Sequence, residues 1–192
     1  HTRNIKFPMP PFTLVGARTR ARDLSRPLRY SFGIVEKLNY YTDEELKDII
    51  LRTSKVLNMP ISTEAAYELA KRSRKTPRIA NRLFKRVRDF ALVENYAKID
   101  FELTKRALNR LKVDESGLDS IDLEYLDALI TKFNGDQVGA GTIATSIGEE
   151  TTTIEDVVEP FLLQEGFINW TQRGRVATSK AYNHLHIEMN KK

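Results

Sequence analysis

Thr76-Pro77-Arg78 puts an arginine at the start of an amphipathic stretch. Threonine caps helix N-termini, and proline is well placed at the first helical position. The open N–H groups and dipole of a helix start attract anions, and a guanidinium adds a planar donor fork that suits phosphate. Arg78 is therefore a candidate anion ligand; the alternative is a solvated arginine on a basic helix. Arg173-Gly174-Arg175 sits between two short apolar runs. There the glycine would let a hairpin tip approach a duplex, and alternation would put both arginines on one face, towards phosphates or the minor groove. The alternative is a charged turn that keeps a hairpin soluble. Arg29, in Pro27-Leu28-Arg29-Tyr30-Ser31, reads as a loop arginine able to reach a phosphate held by a neighbouring subunit, or else as plain surface.

Other chemistries are excluded by composition. There is no cysteine, so disulfides, thiol nucleophiles and thiolate metal sites are out, as fits a reducing cytoplasm. Three histidines, His1, His184 and His186, make a histidine zinc site improbable, and no metal is expected. No Gly-x-x-x-x-Gly-Lys-[Ser/Thr] loop is present, nor an acidic Mg²⁺ motif after an early strand. The chain by itself is therefore not expected to hydrolyse a nucleotide. No apolar run reaches the roughly 18 residues of a membrane span, and no signal peptide is visible.

The 192 residues carry 31 Lys+Arg against 26 Asp+Glu, a net charge of +5 that permits a polyanionic partner. The charge is segregated. Lys71 to Arg88 holds nine basic residues and no acid, whereas Phe133 to Gln172 holds no Lys, Arg or His. Such a split suggests separate modules.

Three blocks would position these residues. In residues 1–41, Phe12–Ala17 reads as a buried strand and Phe32–Val35 as a second apolar piece, too little for a core, so the block looks like the end of a larger domain. Residues 42–113 read as four helices. Thr42 and Glu45 form a capping box, Thr63 starts the second helix, Pro77 the third and Asp100 the fourth, and Ile79, Leu83, Val87 and Phe90 make one stripe. In residues 114–192, Asp119 caps a helix that Gly135 stops, Thr142 starts a second, and Thr152 with Glu155 boxes a third. Two strands then flank Gln172–Arg175. Three helices followed by a hairpin is the winged-helix order. The third of these helices carries Glu155, Asp156, Glu159 and Glu165, and carboxylates in a major groove would be repelled by phosphates, which favours the wing as the DNA contact.

Pro11–Ala17, Arg72-Ser73-Arg74, Thr76–Leu83 and Arg86–Ala91, followed by Ile147–Glu150, Thr153–Val157, Glu159–Leu162, Gln164–Phe167 and Arg173–Thr178, resemble the RuvB family of Holliday-junction branch-migration motors. The resemblance runs over essentially the whole chain. It implies a mainly α fold with a small β-hairpin: the end of an AAA+ α/β domain, a four-helix lid and a winged helix. It places the phosphate-binding loop and its Mg²⁺ motif upstream of His1. Position by position, it implies that Thr19 lies in the sensor-one segment, with Arg18 where the family has a second threonine. Arg29 matches the arginine finger acting in trans, with Ser31 where a second arginine is usual. Tyr41 and Arg78 match nucleotide-pocket and sensor-two residues. Arg175 matches a DNA-contacting wing arginine, supported by Arg173, with Trp170 at another usual arginine position. The complete protein implied is a cytoplasmic homo-hexamer using ATP/ADP with Mg²⁺, acting on duplex DNA at Holliday junctions with RuvA and RuvC type partners. The competing readings are a winged-helix DNA-binding regulator and an adaptor without an ATPase role. A regulator has no reason to carry Arg29, Tyr41 and Arg78 together; the adaptor reading would be decided by the upstream coding sequence.

Overall fold

The computed structural model describes residues 9–17 and 25–189. The chain divides into two compact units, His1–Asn39 and Tyr40–Lys192.

In the first unit the expected strand over Phe12–Ala17 is not formed, and Phe12, Leu14 and Val15 are 61–86% exposed. A strand exists only by pairing its N–H and C=O groups with a neighbour, and among the described residues the only sheet is a hairpin far along the chain. Arg29 is not on an open loop but on a short helix, α1 (Arg26–Ser31). Pro27 stands in its first turn, and the Ser31 hydroxyl donates to the Pro27 carbonyl at 2.8 Å.

The second unit begins with four helices: α2 (Asp43–Val56), α3 (Thr63–Lys71), α4 (Pro77–Val93) and α5 (Phe101–Arg110). Each start has a local cause. Thr42 Oγ1 accepts the Glu45 N–H at 3.2 Å while Glu45 accepts the Thr42 N–H at 2.8 Å, the reciprocal box expected. Those bonds hold the Glu45 carboxyl below its usual range. Ser62 caps α3 and Asp100 caps α5. The faces so aligned bury Leu46, Ile50, Leu69, Phe84, Val87 and Leu103 in one core. A bridge between Ile61 and Ile99 ties the α2–α3 connection to the α4–α5 connection.

The rest of the unit follows the winged-helix order. α6 (Ser120–Asp127), boxed by Asp119 and Asp122, runs on into a π-helical turn, Ala128–Lys132. α7 (Ala140–Ile147) starts behind Gly139, two residues before the expected Thr142, and ends on Gly148 at φ 76°. The third helix is α8 (Thr151–Thr153), a π-helical turn Ile154–Val158 and α9 (Glu159–Gln164) in sequence. Its expected Thr152–Glu155 box is absent, because Glu150 is the cap and Thr151 is already helical. Across this π turn the Glu159 N–H donates to the Ile154 carbonyl, and Pro160, which follows, has no N–H to donate. β1 (Ile168–Thr171) and β2 (Gly174–Ala177) pair antiparallel, with Trp170 opposite Arg175, and α10 (Ser179–His184) follows. Tyr125, Leu126, Ile143, Leu162 and Phe167 centre a second core. Among the described residues no helix is long and apolar enough to cross a membrane.

Candidate functional site

Arg78 is the second residue of α4 and is exposed. Thr76 occupies the cap position, but its hydroxyl donates to the Arg74 carbonyl at 2.9 Å and makes no cap bond. The first N–H groups of α4 therefore have no side-chain cap, and Arg78 has no ion-pair partner among the described residues. Tyr41 comes to the same end of the bundle, since its backbone N–H donates to the Lys75 carbonyl at 3.3 Å. Two residues 37 positions apart in sequence thus flank one uncapped, positively charged helix start. Arg29 is exposed on α1 of the first unit. Thr19 lies outside the described residues.

The hairpin departs from the sequence expectation. Arg173 is exposed at the tip. Arg175 is not: its side chain is 19% exposed and faces inward. Arg175 Nε donates to Glu159 Oε1 at 2.8 Å and Nη2 to Glu159 Oε2 at 3.0 Å, a two-pronged pair, while Nη2 also reaches Glu155 Oε1 at 3.2 Å. Tyr125 Oη donates to the same Glu159 oxygen at 3.0 Å. Glu159 is fully buried, so these donors replace the water its carboxylate lost. Burial and the neighbouring Glu159 push the Tyr125 phenol well above its usual range, which keeps it a donor. The hydrogen bond to Glu159 raises the Arg175 guanidinium further. Trp170 lies 5.6 Å from the Arg175 guanidinium on the outside. The third-helix carboxylates that looked hostile to DNA are thus partly spent inside the protein. Glu165 is likewise paired, with Lys75 and Lys180.

Gly174 is required by the protein, not by a duplex. At φ 145° its absent Cβ would stand 2.4 Å from the Val138 carbonyl oxygen, where Val138 and Arg175 exchange two backbone hydrogen bonds of 2.8 and 3.1 Å. Gly174→Ala combines a forbidden dihedral with a backbone clash. It is expected to cost about 1–3 kcal/mol or more, read as a drop in the thermal midpoint with helix content retained at low temperature.

A second charged cluster joins the bundle to the winged helix. Arg74 Nη1 lies 3.2 Å from Asp122 Oδ2, and Nη2 lies 3.3 Å from Asp122 Oδ1. Burial pushes the Asp122 carboxyl up to about 7, against the opposing pull of Arg74 and the Asp119 N–H. The folded chain thus keeps a proton that the unfolded chain, near its ordinary value of 3.8, gives up. Stability from this group therefore falls as pH rises from about 4 to 7. Asp122→Asn cannot titrate, so its thermal midpoint relative to the parent should rise across that window; a falling difference would contradict the assignment.

Sequence reading gave no role to Tyr125, Asp122 or Arg74, and it took Glu159 only as one of the third-helix acids that disfavour a groove contact. One signal was available: a lone glutamate inside Val157-Val158-Glu159-Pro160-Phe161-Leu162 implies a buried charge that needs a partner.

A four-helix bundle carrying an uncapped arginine-bearing helix start, followed by a winged helix, is the arrangement expected of an AAA+ lid and the winged-helix domain behind it. Family models agree in three consecutive pieces: the Holliday junction DNA helicase RuvB P-loop domain over residues 1–38, the RuvB AAA lid domain over 41–114 and the RuvB C-terminal winged helix domain over 115–186. The chain belongs to the RuvB family. It is 56% identical over 184 residues to the Holliday junction branch migration complex subunit RuvB of Limosilactobacillus reuteri, covering 96% of this chain and 54% of that protein. With the subunit of the same name from Acholeplasma laidlawii it shares 54% identity over 190 residues, covering 99% and 56%. The solved structure of the Thermotoga maritima RuvB Holliday junction branch migration motor superposes with a TM-score of 0.84 at 45% identity, covering 88% of this chain and 57% of that one. The chain thus spans little more than half the length of these relatives.

Proposed function

We propose that this chain supplies the arginine finger, the lid and the DNA-binding wing of an ATP-driven, ring-forming motor that migrates Holliday junctions. In this reading residues 1–41 end the ATPase domain, 42–113 are the lid and 114–192 the winged helix. The observation that carries it is the convergence of Tyr41 and Arg78 at the uncapped start of α4. A triphosphate needs cationic and N–H donors there, and a DNA-binding regulator does not.

The substrate is ATP with Mg²⁺, and the donor set fits a share of it. Arg78 and the α4 N–H groups would hold phosphate oxygens and Tyr41 would border the nucleotide. Arg29, projecting from α1, would act on the nucleotide of an adjacent subunit. The remaining donors belong to a phosphate-binding loop that this sequence lacks, so the chain alone should show no turnover above a buffer control. The exposed Phe12, Leu14 and Val15 suit a strand that pairs within a fuller ATPase domain. The assembly would be a hexamer working with RuvA and RuvC type partners in the cytoplasm.

At the wing, Arg173 is the residue that reaches phosphate, and Arg175 holds the hairpin to the third helix. Trp170, 58% exposed beside it, offers a stacking face. Duplex binding should be weak, indifferent to sequence and steeply salt-dependent. Arg173→Ala should weaken it evenly across sequences and reduce the salt slope by about 1. Filter binding or fluorescence anisotropy at several salt concentrations measures this; unchanged affinity, or a strong preference for one sequence, would remove the wing from the interface.

A further inference from the structure

We infer that Arg74 is the pin that locks the helical bundle to the winged helix and makes them move as one body. Its guanidinium is placed by the lid but is held by the winged helix. The side chain is only 10% exposed. Its partners are Asp122 at 3.2 Å, the Asp119 carboxylate at 3.6 Å and the Val157 carbonyl at 3.1 Å, and it stacks 4.3 Å from the centre of the Phe161 ring. All four belong to α6, its cap or the third helix. No lid side chain shares it, so a buried cation is satisfied wholly across the joint.

The backbone beneath it is specialised for the same purpose. Arg74 and Lys75 are consecutive left-handed residues at φ 51° and 53°. Bulky residues adopt that region rarely, and they keep it only where the surroundings over-determine it. Three more contacts seat the segment. Lys75 pairs with Glu165 at 3.2 Å. Gly117, at φ 78°, brings its Cα against the Arg72 backbone, where a Cβ would stand 3.0 Å from the Arg72 carbonyl. Arg72, itself buried, donates to Glu68 and to the Val113 carbonyl at 3.0 Å.

Arg74 lies four residues before Arg78, and the Thr76 hydroxyl and N–H both bond back into the intervening turn. A shift at the start of α4 therefore acts on Val157 and Asp122. Val157 is two residues from Glu159, which grips the wing through Arg175. The pin stands on geometry alone. Its consequence, that a nucleotide-dependent shift of the lid is delivered to the wing, rests on the motor reading above.

The absence of cysteine makes the joint easy to label. Spin labels at Lys85→Cys, exposed on α4, and Thr142→Cys, exposed on α7, should give one narrow distance distribution in this chain. Arg74→Ala should broaden it with helix content unchanged, and Arg74→Lys should recover only part of the order, since an ammonium cannot fork to a carboxyl or stack as flatly. Asp122→Ala, which removes the acceptor altogether, provides a second disruption should Arg74→Ala fail to fold. An unchanged width in every folded variant overturns the pin. In the complete protein, Arg74→Ala should leave DNA-independent ATP turnover within about twofold and lower its stimulation by DNA at least tenfold; equal losses in both would mark Arg74 as merely structural and overturn the proposal. If the unsubstituted complete protein turned over no ATP, the motor reading would fail while the label distances still judged the pin.

Discussion

Glu159→Ala should cost the winged helix about 3–5 kcal/mol, because it leaves the partly buried Arg175 guanidinium with Glu155 alone and strands the buried Tyr125 hydroxyl. Arg175 would keep its charge and lose two of its hydrogen bonds, and Tyr125 would be left with a buried, unbonded hydroxyl. That loss is a large fraction of the roughly 5–15 kcal/mol that holds a typical domain folded. Denaturant unfolding should accordingly show the winged-helix core melting first, with the bundle core around Phe84 melting later. Tyr125→Phe, which removes one donor and leaves the ion pair, should cost only about 1–2 kcal/mol. Replacing Glu159 and Arg175 together by leucine should recover much of the loss, since an apolar pair carries no desolvation cost. A Glu159→Ala chain as stable as the parent to within about 1 kcal/mol would show that the network is weaker than its geometry indicates.

Arg29→Ala in the complete motor should lower ATP turnover by roughly 10³–10⁵, the range for removal of a trans-acting arginine from phosphoryl transfer. Nucleotide binding should survive if, as proposed, the residue acts on the neighbour's substrate. The 192-residue chain by itself should barely register the change. Arg29 is exposed on a six-residue helix, and surface substitutions shift stability by no more than about 0.5 kcal/mol. Steady-state ATPase rates with a thermal scan separate the two readouts; turnover reduced less than tenfold would remove the finger role. Ser31, where the family pattern holds a second arginine, is turned back onto the Pro27 carbonyl. It braces the helix that carries Arg29.

What could be read from sequence follows from range of interaction. Helix starts are local: the Thr42–Glu45 box, Pro77 and the Asp100 cap depend on residues three or four apart, and all stand where the pattern put them. The same local reasoning failed at Thr152–Glu155, where Thr152 falls two residues past the cap of a helix that had already begun. Phe12–Ala17 has the composition of a strand, but a strand is a property of its partners, and composition cannot supply them. Alternation found the hairpin and its two arginines. It could not tell that Arg175 folds onto a carboxylate 16 residues earlier while Arg173 stays outside, because that depends on a cross-element contact. Gly174 was visible as a turn residue, but its reason, the Val138 backbone, came only with the third dimension. Arg74 looked like one more cation in a basic run, and its ligands lie 48 and 83 residues away.

The central claim is that one chain contributes sensor residues to its own nucleotide and a finger to its neighbour's. Mixed rings of the complete protein test it most directly. Subunits carrying Arg29→Ala and subunits carrying Arg78→Ala are each expected to be inactive alone, the first for want of a finger and the second for want of a phosphate ligand. In a mixture, an Arg29→Ala subunit keeps its own Arg78 and receives Arg29 from an Arg78→Ala neighbour, so DNA-stimulated ATP turnover should reappear and peak near equal proportions. Turnover in mixtures no greater than the sum of the two separate preparations would contradict the assignment of Arg29 to the neighbour and Arg78 to the chain's own site.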